Sequence, residues 1–192
     1  MAFSQVSDII IINGIKLNLL TYPLDSYLRN LTPPIKFDIE TSACWRGYQA
    51  IWVLSKDNLY LENIFGNIEG ARADIFTLFD LSIIEREVKA KWFTGILKVP
   101  VRPIIYIKSH IQKHPKEILF KIENGNIIQM ICKEYEINEE TFDNPPMIEY
   151  EISKEEMEHE ILCYKIMNEQ QGNRNKIIFY QNNSDDLDDL PF

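Results

Sequence analysis

The sequence predicts an α+β protein, mainly antiparallel β: a curled or barrel-like meander sheet with one or two short helices and a C-terminal amphipathic helix. Three observations carry this. Two Asn-Gly pairs, Asn13-Gly14 and Asn124-Gly125, each sit between aliphatic runs, where the left-handed conformations they tolerate suit a tight hairpin turn. Alternation of apolar and polar residues recurs between residues 8 and 132, the period of a half-buried strand. After Ser153 the apolar spacing changes to three and four, the period of a helix face.

In chain order, "DIIIINGIKLNLL" gives a first hairpin, Asp8–Ile12 with Ile15–Leu20, in which Ile15, Leu17 and Leu19 alternate with Lys16 and Asn18. Leu24, Tyr27, Leu28 and Leu31 then recur at three and four residues, a short helix stopped by Pro33-Pro34. "IKFDIET" alternates again and predicts a strand over Ile35–Ile39. Tyr48, Ala50 and Trp52 before the turn "SKDN", with Leu59 and Leu61 after it, make a second hairpin. Gly47 at its start suits a bulge or a close backbone approach. "ADIFTLFDLSIIEREVKA", residues 73–90, is ambiguous between a helix and a strand. "KWFTGILKVPV" reads as a strand from Trp92, ended by Pro100 and Pro103, which cannot donate to a ladder. "IIYIKSH" resumes an extended run, and Ile118–Ile122 with Ile127–Cys132 closes a third hairpin.

Beyond "NEETFDNPP" the composition changes. Residues 1–137 read as the β core, and 138–192 as an acidic extension packed on the same domain. Within it lie a helix over about 153–171, a possible edge strand over 176–181 and a tail. Ser153 and Glu156 make a capping box, Met157, Ile161, Tyr164 and Met167 the apolar stripe, and Gly172 the stop. The charge is asymmetric. Residues 134–192 hold 16 of the 29 acidic residues and 4 of the 20 basic ones, although the chain as a whole has net charge −9. Such a surface repels a phosphate backbone and attracts a basic protein, though blocks of acid also serve simply to solvate a chain.

Three cysteines, odd in number and widely spaced, with no CxxC pair, do not form a disulfide framework or a zinc site of the usual spacing. No segment is apolar enough to cross a bilayer, and the N-terminal residues lack the basic region and cleavage site of a signal peptide. The expectation is a soluble protein of a reducing cytoplasm.

"WRGYQAIW", "NLYLENI" and "KWFTGILKVP" together resemble a family of uncharacterised bacterial cytosolic proteins. Its core has an Arg-Gly-Tyr strand leading into a Trp strand, a Leu-Tyr-Leu return and a Trp-Phe-(Ser/Thr)-Gly segment ending at Pro. Here these correspond to Arg46-Gly47-Tyr48, Leu59-Tyr60-Leu61 and Trp92-Phe93-Thr94-Gly95 with Pro100. The resemblance spans roughly residues 9–130 and implies a loose link to toxin-immunity loci; it brings no assigned chemistry. Where that family has a glycine-rich "HMGYGS" segment, this chain reads "IKSHIQKHPKE".

Candidate chemistry is sparse. Cys44 has no histidine near it in sequence and reads as a small buried hydrophobe. His110 and His114, four apart, have a metal-ligand spacing, but no Glu follows His110 and Pro115 interrupts a helix. Glu155, His159 and Cys163 stack at four-residue steps without a fourth ligand. Trp45, Trp52 and Trp92 form either a ligand platform or core, and alternating strand positions favour core. No phosphate loop or nucleophile elbow is present. These readings predict a non-enzymatic, cofactor-free immunity-type protein that occludes a cognate toxin with a basic surface, such as a nuclease. It would contact neither nucleic acid nor membrane. The predicted contact residues are Glu155, Glu158 and Glu160 on the helix, and Asp185, Asp186, Asp188, Asp189 and Phe192 in the tail. Alternatives are a metal-dependent enzyme using the His110/His114 loop and a DNA-mimicking regulator.

Overall fold

The computed structural model describes residues 5–79, 87–107, 111–137 and 144–184, with backbone alone for 105–107, 111–113 and 171–184. The first predicted hairpin is present as β1 (Asp8–Ile12) and β2 (Ile15–Leu19), and Asn13 and Gly14 take φ of 51° and 76° at its turn. Both values are positive, as a type I′ turn requires. The second hairpin is β3 (Tyr48–Ser55) with β4 (Asn58–Ile68), and the third is β10 (Lys116–Glu123) with β11 (Asn126–Tyr135). Lys56 and Asp57 make the β3–β4 turn at φ of 48° and 60° without a glycine.

These hairpins do not follow one another as a simple meander. Helix α1 (Leu24–Asn30) lies in the connection from β2 to β3, and this long crossover returns the chain to the far side of β1. β3 therefore runs parallel to β1, Ile10 opposite Trp52, as only a long connection allows. The sheet order is β2-β1-β3-β4-β11-β10-β7, where β7 is Gly95–Pro100. β5 (Ala71–Ala73) and β6 (Val88–Lys89) attach to β4, and β12 (Met147–Glu151) attaches to β11. β8 (Ile105–Ile107) and β9 (Ile111–Lys113) form a separate small hairpin. Helix α2 (Ile75–Leu78) is a single turn capped by Asp74 and Thr77.

The sheet is sharply curled. β4 and β11 share one register pair, Asn58 with Asn126, supported by the Leu59 N–H on the Gly125 carbonyl at 2.8 Å. At the opposite ends of the order, the Leu20 N–H donates to the Lys98 carbonyl at 2.9 Å. The ends meet at that point without forming a ladder, so the barrel is not closed. Trp52, Phe120, Ile10, Leu61, Leu97 and Ile118 fill the interior, all fully buried. Their alternation with exposed neighbours such as Ile96 and Lys98 is the period-two pattern of the sequence.

Three expectations are corrected. Among the described residues Ile35–Ile39 pairs with no strand: its backbone bonding there is Asp38 N–H on the Asn67 carbonyl at 2.8 Å, while Phe37 packs on Tyr48 with ring centroids 5.0 Å apart. The segment crosses the start of the β3–β4 hairpin instead of lying along it. The strand predicted from Trp92 begins at Gly95, because Phe93 N–H turns back to the Ala90 carbonyl at 2.9 Å. Finally, helix α3 (Lys154–Ser184) runs through Gly172 and through the predicted edge strand 176–181. An established helix adds residues without a new nucleus, and one interior glycine costs only about 1 kcal/mol.

Gly47 shows the close approach its position suggested. Its φ is +71°, and a Cβ there would sit 2.5 Å from the Asp38 carbonyl oxygen and 2.8 Å from Phe37 Cβ. Gly14 has a similar φ of +76° but open space around it. Gly47→Ala is therefore expected to destabilise the fold by about 3 kcal/mol, and Gly14→Ala by about 1 kcal/mol. Denaturant midpoints of the two variants check this; equal losses would contradict the close approach.

Candidate partner-binding surface

The acidic C-terminal third is held on the sheet by three devices. At the start of α3, the Ser153 N–H donates to Glu156 Oε2 at 2.7 Å and the Glu156 N–H to Ser153 Oγ at 3.2 Å, the predicted capping box. Met157 and Ile161 bury their side chains in the core. Glu160 then reaches inward: its Oε1 accepts from Lys116 Nζ and its Oε2 from Arg102, both at 2.7 Å. Lys116 also bonds Glu134 at 2.6 Å, and the Tyr150 hydroxyl donates to the same Glu134 oxygen at 2.5 Å.

These contacts set the charges. Burial raises the Glu160 carboxyl, but the Lys116 hydrogen bond and the Arg102 charge outweigh it and hold the group below the usual carboxylate range. Hydrogen bonds from Lys116 and then Tyr150 hold Glu134 low as well. Tyr150 is pushed up by its bond to Glu134 and by the neighbouring Cys132. The network is ionised and self-satisfied.

Of the predicted contact residues, Glu155 is exposed and Glu158 half-exposed. Glu158 lies at the rim of a cavity of about 250 Å³ between the first two hairpin turns and the start of α3, where Lys154 stands 3.7 Å from Asp57. Glu160 is the departure: its carboxylate is spent on holding α3, so it faces Arg102 and Lys116 and not a partner. Asp185, Asp186, Asp188, Asp189 and Phe192 lie outside the described residues, as does His110. His114 Nδ1 lies 3.4 Å from the Arg102 carbonyl. His159 and Cys163 sit 3.8 Å apart on successive turns of α3. Among the described residues no group of three or more His, Cys, Asp or Glu side chains is arranged to hold a metal. Cys44 is half-buried, not fully packed, and its thiol donates to the Tyr48 carbonyl at 3.2 Å. The tryptophans divide: Trp52 is core, Trp92 packs on Tyr27 and Phe79, and Trp45 is 67% exposed beside a cleft of about 350 Å³.

β12 supplies surface residues that sequence reasoning passed over. Met147, Ile148 and Tyr150 are all exposed, 48%, 66% and 41%, among Glu149 and Glu151. The signal was present in "MIEYEI", where Ile148, Tyr150 and Ile152 alternate with two glutamates directly after Pro145-Pro146. β12 thus presents Ile148 and Tyr150 on one face and Met147 on the other, with Glu149 and Glu151 between them, and the first turns of α3 add exposed carboxylates but no large exposed apolar side chain.

The other polar cluster is centred on a buried carboxylate. Asp8, with no exposed surface, accepts from Trp52 Nε1 at 3.0 Å and from the Ala50 N–H and Arg46 at 3.2 Å each. The Arg46 guanidinium lies 3.4 Å over the Tyr22 ring, and the Tyr48 hydroxyl donates a short hydrogen bond to Asp25. Burial outweighs the three donors and pushes the Asp8 carboxyl up to about 6. Asp8 itself is enclosed and serves the fold, whereas Arg46, Tyr48 and Asp25 also line the cleft of about 350 Å³ beside Trp45.

Comparison with protein-family models, with curated proteins and with solved structures finds no match.

Two outcomes are expected. Glu160→Ala, which strands Arg102 and Lys116, lowers stability by about 2 kcal/mol, whereas Glu155→Ala changes it by no more than about 0.5 kcal/mol; chemical denaturation checks both. Asp8 has its folded value raised above the unfolded 3.8, so its contribution is fully present below pH 3.8 and is lost as pH rises through about 6. Between pH 4 and 7 the wild type should lose roughly 2 kcal/mol relative to Asp8→Asn, measured as paired unfolding curves.

Proposed function

We propose that this is an immunity-type protein of the bacterial cytoplasm that binds a cognate protein toxin with a basic surface and neutralises it by occlusion. One observation carries the reading: on β12 the large apolar side chains of Met147, Ile148 and Tyr150 stand exposed among the carboxylates of Glu149 and Glu151, and the first turns of α3 beside them add Glu155 and Glu158. Steered by the acid, a basic enzyme arrives quickly; Met147, Ile148 and Tyr150 then offer area that is desolvated only on contact. The motif resemblance to a family linked with toxin-immunity loci supports the same reading. A nuclease fits it well, because its substrate cleft is basic and carboxylates compete there with phosphate.

The test is co-expression with the product of the adjoining gene, followed by binding and toxicity assays. The expected result is protection of the host and a complex that weakens steeply with salt. The double variant Glu155→Lys with Glu158→Lys should bind at least about tenfold more weakly with unchanged circular dichroism. Binding indifferent to both salt and charge reversal would overturn the mechanism.

A further inference from the structure

β12 has one edge with which no strand among the described residues pairs. The Pro146 carbonyl accepts from the Glu136 N–H at 3.0 Å, and the Ile152 N–H donates to the Met130 carbonyl at 3.1 Å. Alternate residues of an antiparallel strand point their backbone groups to opposite sides. The groups of Ile148 and Tyr150 therefore serve β11, and those of Met147, Glu149 and Glu151 point away from it. Among the described residues no strand pairs with that side.

Exposed edges are ordinarily blunted by charged side chains, proline or a bulge. Over Met147–Glu151 there is no proline and no bulge, the register with β11 is unbroken, and the charges are the two carboxylates of Glu149 and Glu151, which repel acidic strands and admit basic ones. Glu149 and Glu151 decide what the edge accepts. A second copy docking antiparallel about Glu149 would set glutamate against glutamate, which is unfavourable. A basic strand would be favoured, and the inner side already shows the pairing: Lys133 of β11 reaches Glu149 at 3.0 Å from the directly opposed position.

Resting on the acidic-surface reading above, we propose that the outer edge of β12 receives an extended basic segment of the partner protein as an added strand. The backbone of Met147, Glu149 and Glu151 supplies the ladder, and Glu149 and Glu151 select alternating Lys or Arg.

The experiment titrates a short peptide of alternating lysine and valine into the full, isotope-labelled chain. The amides of Met147, Glu149 and Glu151 should gain protection from hydrogen exchange, while those of Ile148 and Tyr150, already bonded to β11, stay as they were. Two variants separate backbone from charge. Glu149→Ala removes the carboxylate; Glu149→Pro also removes an outward N–H without touching the β11 ladder. Glu149→Pro should bind about tenfold more weakly than Glu149→Ala, the worth of a buried donor. The same peptide with alternate backbone nitrogens methylated keeps its charge and should lose binding to the unaltered protein by a similar factor, a comparison that needs no variant to fold. Absent binding, equal affinity of the two variants, or equal affinity of the methylated peptide would each overturn strand addition. If charge reversal at Glu155 and Glu158 still abolishes toxin binding in that case, the acidic surface stands and only its strand-adding mode fails.

Discussion

The fold turns on a carboxylate that water never reaches. Asp8 sits where β1, β3 and the crossover from β2 meet, and its oxygens gather Trp52, Ala50 and Arg46 onto one point. The chain must travel from β2 through α1 and back before β3 can lie parallel to β1, and such a crossover has no ladder of its own to hold it. Arg46 supplies the anchorage, bonding Asp8 and the Val6 carbonyl while its plane rests on Tyr22. Immediately after it, Gly47 lets the backbone pass against Asp38 and Phe37. A buried pair of this kind is a weak source of net stability, since desolvation costs nearly what attraction returns. Its effect is on uniqueness: with β3 displaced, Asp8 would be left buried with its charge uncompensated.

The two halves of the sheet are held by different means. On the β1–β4 side the stitch is the cluster around the enclosed Asp8. On the β10–β12 side it is the half-exposed chain Tyr150–Glu134–Lys116–Glu160–Arg102, which ties α3 to the strands beneath it. Between the halves, strand-to-strand bonding among the described residues is confined to the neighbourhood of Asn58 and Asn126 and of Leu20 and Lys98, while one apolar core is common to both. Most polar groups of both clusters are taken up by one another; among the described residues Arg46 Nε is left buried without a hydrogen-bond partner. What remains available to a partner is therefore the rim, and its richest stretch is the strand and helix that follow Pro145-Pro146.

Much of this was legible in residue order. The hairpin turns were, because Asn-Gly at a turn is a local steric matter, and so was the capping box, because its donors and acceptors lie three residues apart. Gly47 was legible as a tight place, though not what crowds it. The acidic surface was legible as composition, but the roles of its members were not: Glu155 and Glu160 are both helical glutamates, and only the arrival of Arg102 and Lys116 beneath Glu160 separates them. β12 was overlooked because its alternation lay inside a run of acids that reads as solvated chain, and the strand at Ile35–Ile39 was expected because its alternation is real.

By itself the sequence determined the local conformations, the apolar faces and the concentration of negative charge in the last third, since each depends on neighbours within a few residues. Only the tertiary structure decided the parallel placement of β3 beside β1, the inward commitment of Glu160 and the outer edge of β12, left without a partner strand among the described residues. Those depend on which distant segments meet, and pairing between segments is settled by the packing of the whole interior, which no single stretch of residues encodes.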